Sequence, residues 1–309
     1  MNMNPIRYSG GKTRAIKHIE PFIKTDKLVS PFFGGGSLEQ HFAKKGVEVI
    51  GYDVFDILVN FWQHLLNKPE RLYEILKQWE PSTEKYEEIK QLLKKWDKTQ
   101  TGIFDKLETD YYNEDPIHID DDMGAAYFWY NFNLSYGPMF LGWVSKAYLD
   151  PKKYQRMIEN LKNYKNPTLS VNLMSFEDSI PKHRNDFLYL DPPYYIESRK
   201  TDSDNKMNRG LYPNPNFDVH HKGFDHELMR DLLHKHEGEF VLSYNNCETI
   251  REWYSDFEFH YPKWHYSMDS GEKKIGKIRS ERGTKGKESH EILIVKRKEK
   301  SENVDDFWG

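Results

Sequence analysis

Four consecutive residues combine a carboxylate, a rigid turn and an aromatic plane: Asp191, Pro192, Pro193 and Tyr194. They follow the apolar run Phe187-Leu188-Tyr189-Leu190, which reads as a buried strand, so they sit where an open α/β sheet puts its ligands. Two prolines in succession stiffen the turn and leave the Pro192 carbonyl without a regular ladder role. The set suits a planar substrate that carries an amino group. Asp191 and the Pro192 carbonyl accept hydrogen bonds from the amine, and Tyr194 stacks on the ring. An aromatic amine is a poor nucleophile because its lone pair is delocalised. Acceptors on its hydrogens favour a pyramidal nitrogen and stabilise the positive charge that grows during attack, an effect typically worth a few kcal/mol per contact.

A second group lies upstream. Pro31-Phe32-Phe33-Gly34-Gly35-Gly36-Ser37 stands between an expected strand and an expected helix, and glycines there let backbone approach a ligand closely. Glu39 occupies the place of the third glycine of GxGxxG, so a dinucleotide site is less favoured than another nucleoside cofactor. Asp53 ends the next strand 17 positions after Gly36, close to the spacing of ribose-binding carboxylates. Near the N-terminus, Tyr8-Ser9-Gly10-Gly11-Lys12-Thr13 ends in GKT. A phosphate loop is excluded, since Ile6 stands at the first required glycine and no strand precedes it. A Gly-Gly turn opening a helix, with Lys12 directed at an anionic group, and an ordinary helix start both remain.

Strands must present these residues. Apolar runs bounded by turn residues predict strands over 27–30, 47–52, 169–172, 186–190, 239–243 and 292–296. Helical spacing predicts helices over 13–22, 38–45, 225–236 and 249–254. Their alternation implies an α/β fold with a largely parallel sheet. Residues 56–165 read as helices with charged outer faces and no clear strand. The expected organisation is an α/β domain of residues 1–55 and 166–309, interrupted by a mainly helical insertion, 56–165. A helical layer without a role of its own is the alternative. Residues 197–216 are polar, contain Gly210, Pro213 and Pro215, and read as a loop. Residues 273–287 set seven cations, Lys273, Lys274, Lys277, Arg279, Arg282, Lys285 and Lys287, against Glu281 alone. They form either a solvated loop or a local anion-binding patch.

The chain of 309 residues is 37% hydrophobic and 15% aromatic, enough to bury a core that also stacks on flat ligands. Its net charge of -4 gives no global basic field, so a nucleic-acid role needs local patches. A single cysteine, Cys247, excludes an intramolecular disulfide and a cysteine-based zinc site. No apolar signal core and no long apolar run is present, which points to the cytoplasm and away from a membrane. The thirteen histidines show no metal-ligand spacing.

With these motifs in this order, the chain resembles the Dam-type, DPPY-class (α-group) DNA adenine-N6 methyltransferases. Residues 8–12 match the family's N-terminal cofactor motif, 33–36 its glycine-rich motif, Asp53 its ribose acid and 191–194 its catalytic motif. Later segments, FDHELMRDLL, EGEFVLSYNN, IREWY and HEILIVK, also fit. The resemblance implies a Rossmann-like class I S-adenosylmethionine-dependent methyltransferase fold with a mainly helical DNA-recognition insertion. It implies that Tyr8, Gly10, Lys12, Phe33, Gly34, Gly36 and Asp53 contact S-adenosylmethionine, and that 191–194 hold an adenine flipped from double-stranded DNA. The amine in line with a methyl sulfonium needs no metal. Many relatives carry Asp-Phe before the strand that leads into DPPY; here the pair is Ser175-Phe176, with Asp178 further on. Phe176 is carried over as a cofactor contact, and the carboxylate role is not transferred to Ser175.

The basic segment 273–287 then becomes the expected DNA contact. The aromatic run 127–143 falls where the family reads DNA, and reads equally as a packed helix ending in the Gly137-Pro138 turn. A cognate restriction endonuclease is a possible partner that need not bind physically. Competing readings are transfer to cytosine N4, RNA or protein glutamine, and a silent DNA-binding homologue. Cytosine enzymes more often begin the motif with Ser and glutamine enzymes with Asn, so the initial Asp191 argues against both.

Overall fold

The apolar runs pair into one seven-stranded sheet. The computed structural model describes residues 4–8, 11–95, 119–137, 140–195, 224–262 and 291–298. The strands are β1 (Lys27–Ser30), β2 (Glu48–Asp53), β3 (Leu169–Leu173), β4 (Phe187–Leu190), β5 (Phe240–Asn245), β6 (Glu258–His260) and β7 (Glu291–Lys296). Their order is β3-β2-β1-β4-β5-β7-β6. β1 pairs in parallel with both β2 and β4, and β2–β3 and β4–β5 are also parallel. Only β7 runs against its neighbours, β5 and β6. All four residues of β4 are buried, as a strand covered on both faces requires. The fold is the Rossmann-like α/β class expected, with ten α-helices among the described residues.

Strand order reverses between β1 and β4, and the crevice beyond their C-terminal ends is the switch point of such a sheet. The turn after β1 and Asp191 after β4 both open there. β7 enters from the opposite direction, so its first residue, Glu291, lies opposite Asn245 at that same edge.

Two sequence expectations need correction. The helix expected over 13–22 is split into a 3-10 turn (Lys12–Arg14), α1 (Ile16–Ile19) and a second 3-10 turn (Glu20–Phe22). Pro21 has no N–H to continue the ladder, and its ring crowds the preceding turn. The short edge strand β6 was not expected; three half-exposed or exposed residues carry no readable period.

Between β2 and β3 run α2's successors α3 (Asp56–Asn67), α4 (Pro69–Leu76), α5 (Thr83–Lys94), α6 (Asp121–Leu134) and α7 (Pro151–Lys162); α2 itself is Ser37–Lys44. Side-chain caps from Ser82, Asp120 and Asp150 accept the free N–H groups at the starts of α5, α6 and α7. Their buried aromatics Trp62, Tyr86, Phe128, Trp129, Tyr130 and Tyr154 form one core with Leu28, Val49, Val171 and Tyr189 of the sheet. Three buried hydroxyls end on carbonyls: Tyr86 on Gly142 (3.1 Å), Tyr130 on Glu80 (3.2 Å) and Tyr154 on Leu76 (2.7 Å). On the other face, α8 (Phe176–Lys182), α9 (His226–Lys235) and α10 (Glu248–Trp253) cover a second cluster around Leu188, Leu190, Leu242 and Ile294. No helix among the described residues is long and apolar enough to cross a membrane.

Candidate active site

The turn after β1 is held by backbone and by one carboxylate. Gly34 (φ 48°) and Gly36 (φ 58°) are in the left-handed region, where a side chain is strained. A Cβ on Gly36 would also lie 2.5 Å from the Phe33 ring, and one on Gly35 would lie 2.4 Å from Tyr8 Cβ. Asp53, at the end of β2, accepts from the Gly34 N–H (2.8 Å) and the Phe55 N–H (2.9 Å). Trp62 donates its indole N–H to the Gly34 carbonyl at 3.0 Å. Tyr8 packs across Gly34 and Gly35 and stacks on Phe132, with ring centres 5.6 Å apart. The glycine turn, Tyr8 and Asp53 therefore form one unit.

Phe33 is almost wholly buried. Its ring is buried over Gly51 and Gly36 and meets Trp62 edge-on at 5.1 Å. The bulk of an aromatic in that motif serves the core.

Lys12 ties the N-terminal turn to the strand-end tetrapeptide. Its ammonium, almost wholly buried, lies 3.0 Å from Asp191 Oδ1, 2.8 Å from Tyr194 Oη and 3.2 Å from Glu291 Oε1. An ammonium has three N–H donors, and these acceptors draw them toward the strand end. The Asp191 side chain keeps 24% of its surface open, although its carboxyl is set deep among protein atoms. Burial pushes its pKa up to about 6; Lys12 works against that, and the Glu291 charge adds to it. Pro192 is buried and Pro193 half-buried behind it. The Tyr194 ring lies 6.3 Å from Tyr244, leaning at 31°. The next residue, Tyr195, is wedged between His226 and Trp253, and its carbonyl accepts from Asn245 Nδ2 at 2.7 Å.

A model of the D12 class N6 adenine-specific DNA methyltransferases matches residues 8–268. The chain belongs to that family. No curated protein sequence matches it. This D12 class enzyme methylates the N6 of adenine in DNA, and the acceptors around Asp191 are the chemistry such an amine needs.

Other expected residues of this D12 class enzyme fall into place unevenly. Phe176 is buried at the start of α8, packed on Phe32 (5.7 Å) from the glycine turn and on Phe224 (4.9 Å). Ser175 caps α8 and donates to the Asp178 carboxylate at 3.2 Å. Both side chains are thus engaged in starting the helix. Gly10 and the seven basic residues, Lys273, Lys274, Lys277, Arg279, Arg282, Lys285 and Lys287, lie outside the described residues. The aromatic run divides: Phe128, Trp129, Tyr130 and Phe132 are packed within α6, whereas Tyr136 and Trp143 stand 72% and 79% exposed beyond it. Arg7 holds that segment to the N-terminal motif, donating to the carbonyls of Asn133 (2.7 Å) and Ser135 (3.2 Å).

Sequence reasoning missed three polar residues beneath the site. Glu291 is buried at the head of β7, and its second carboxylate oxygen accepts from Ser243 Oγ at 3.0 Å. Glu39, the residue in place of the third glycine, is buried on α2 and accepts from Ser30 Oγ at 2.7 Å. Burial raises its pKa to about 7, with the Asp191 charge adding to the shift and the Ser30 hydrogen bond opposing it. The available signal was a single acid at the edge of an apolar strand or on an inward helix face.

Proposed function

We propose that the methyl donor is S-adenosylmethionine, that the substrate is double-stranded DNA, and that the target adenine is flipped into the crevice beside Asp191. The observation that carries this reading is the meeting of Lys12, Asp191 and Tyr194 beside a side-chain-free glycine turn braced by Asp53. The residues fit the donor. The glycine turn carries no side chains of its own, the Asp53 carboxylate has the chemistry for ribose hydroxyls, and Phe176 gives an apolar wall. In the proposal Tyr8, Gly10, Lys12, Gly34, Gly36, Asp53 and Phe176 hold the donor, with Phe33 contributing main chain. The bound sulfonium supplies an electrophilic methyl: the N–C bond forms as the C–S bond breaks, and the electron pair stays on sulfur.

The chain's own residues do the rest. Asp191 and the Pro192 carbonyl accept the two amine hydrogens, and Tyr194 stacks on the base. Preorganised acceptors then stabilise the charge growing on N6. The proton left on nitrogen after transfer passes to Asp191 or to water. The half-enclosed carboxyl is out of reach of an amine within a duplex stack, which is why flipping is part of the reading.

The helical insertion of residues 56–165, on a scaffold of 1–55 and 166–309, is proposed to read the DNA, with Tyr136 and Trp143 as exposed stacking groups and 273–287 as phosphate contacts. The reading places the enzyme in the cytoplasm, with a cognate endonuclease as a functional rather than physical partner. The test is calorimetric binding of S-adenosylmethionine, together with fluorescence of 2-aminopurine placed at the target adenine. Saturable donor binding and a fluorescence rise on adding enzyme are expected. Absence of donor binding overturns the cofactor, and a flat signal with bound DNA overturns flipping.

A further inference from the structure

Among the described residues, Glu291 is a buried carboxylate on Lys12 that no substrate atom is asked to touch. It sits at the start of β7, where antiparallel pairing with β5 brings it opposite Asn245 and one side-chain step from Ser243 on the same face. Its side chain is 1% exposed, and its two oxygens are directed at different partners, Oε1 at Lys12 and Oε2 at Ser243. Ser243 follows the apolar run Phe240–Leu242 and is itself buried, so both strands place a polar residue where a hydrocarbon would pack. Burying two carboxylates against one ammonium is expensive, and an apolar replacement of such groups is often neutral or stabilising. The arrangement is better explained by what it does for Lys12.

Lys12 donates to Asp191 Oδ1, and a carboxylate has a second oxygen, Oδ2, with lone pairs for the adenine amine. The ammonium therefore orients the carboxyl that receives the amine. Its own place is set in turn by a second, buried carboxylate, Glu291.

We propose that Glu291, braced by Ser243, is a positioning residue that fixes Lys12 against Asp191 and Tyr194 and so aims the carboxyl at the target amine. The proposal rests on the reading of Asp191 as the amine acceptor. The charged and titratable groups facing Asp191 are Lys12 from the N-terminal turn, Glu291 from β7, Glu39 from α2, and Tyr189 and Tyr194 from its own segment. Among them Glu291 raises the Asp191 pKa and Lys12 lowers it.

The test is E291Q, with S243A as the milder variant and K12M as the opposite perturbation, measured at saturating donor. E291Q keeps an acceptor oxygen for Lys12 but removes the buried negative charge beside it. The expected result at saturating donor is a kcat at least tenfold lower, and an acidic limb of the pH–kcat profile displaced to lower pH. S243A moves the limb the same way by less, and K12M moves it to higher pH. Carbon NMR titration of Asp191 in the donor-free protein should show the same opposed displacements. A side chain with a purely structural role would not shift the limb in opposite directions for its two partners. E291Q that melts like the wild type, keeps wild-type kcat and leaves the limb in place overturns the proposal. Should E291Q not fold, an S243A limb that coincides with the wild type overturns it equally. D191A separates the two levels: if D191A retains turnover, the reading of Asp191 has failed. If D191A is inactive while E291Q and S243A are unchanged, only the role of Glu291 has failed.

Discussion

Replacing Glu39 with Gln should stabilise the protein, and the gain should depend on pH. The carboxyl is buried on α2 with Ser30 as its hydrogen-bond donor, and Gln keeps an acceptor oxygen for that hydroxyl while losing the ionisation. Burial raises the Glu39 pKa from 4.5 to about 7. A folded-state pKa above the unfolded one means that the native protein holds the proton more tightly. Stability contributed by the neutral carboxyl is therefore present at low pH and is lost as pH rises from about 4.5 through about 7. At 1.36 kcal/mol per tenfold change in proton affinity, ionised Glu39 costs the fold about 3 kcal/mol at roughly pH 8.5 and under about 1 kcal/mol near pH 5. Urea denaturation of both proteins across that range measures the difference directly. Glu39→Gln should be nearly neutral at the acid end and more stable by about 3 kcal/mol at the alkaline end, a rise of roughly 5 °C or more in Tm. A difference that stays flat with pH would refute the assignment of Glu39 as a buried acid titrating near neutrality.

Other expectations follow from the geometry. Gly36→Ala puts a Cβ 2.5 Å from a ring that is locked over Gly51, at φ 58°. It should cost about 1–3 kcal/mol in denaturant unfolding and lower donor affinity at least tenfold; wild-type values for both would remove the turn from the site. Asp53→Ala strips the acceptor from two backbone N–H groups and should weaken S-adenosylmethionine binding by tenfold or more, as read by calorimetry. An unchanged dissociation constant would leave Asp53 as a purely structural brace. Trp143→Ala, at a largely exposed position, should leave stability within about 0.5 kcal/mol yet weaken DNA binding, and neutralising Lys273 to Lys287 should flatten its salt dependence. Unaltered affinity and slope would place the DNA elsewhere.

What the sequence made legible was local. Asp191–Tyr194, the glycines of 34–36 and Asp53 each sit at the end of a strand whose apolar run is readable by itself, and the alternation of runs put them on one edge. Where meaning depended on pairing, it was hidden. Glu291 reads as the polar start of an apolar strand until antiparallel pairing brings it to the C-terminal end of β5, beside Lys12, 279 residues away in sequence. Glu39 reads only as the residue in place of a third glycine until α2 is turned onto the sheet and buries it. Phe33 shows the same dependence on pairing: Gly51 on the adjacent strand leaves a hollow that its ring fills. The aromatic run of α6 was open between packing and DNA contact, and the fold uses it for packing up to Leu134, leaving Tyr136 and Trp143 outside.

The central claim is that Asp191 accepts the adenine amine during methyl transfer. It is tested most directly by incubating wild type and Asp191→Ala with labelled S-adenosylmethionine and unmethylated duplex DNA, then analysing the nucleosides. The account predicts labelled N6-methyladenine with the wild type, none above background with Asp191→Ala, and equal donor binding by both. N6-methyladenine formed by Asp191→Ala at a near wild-type rate would contradict it.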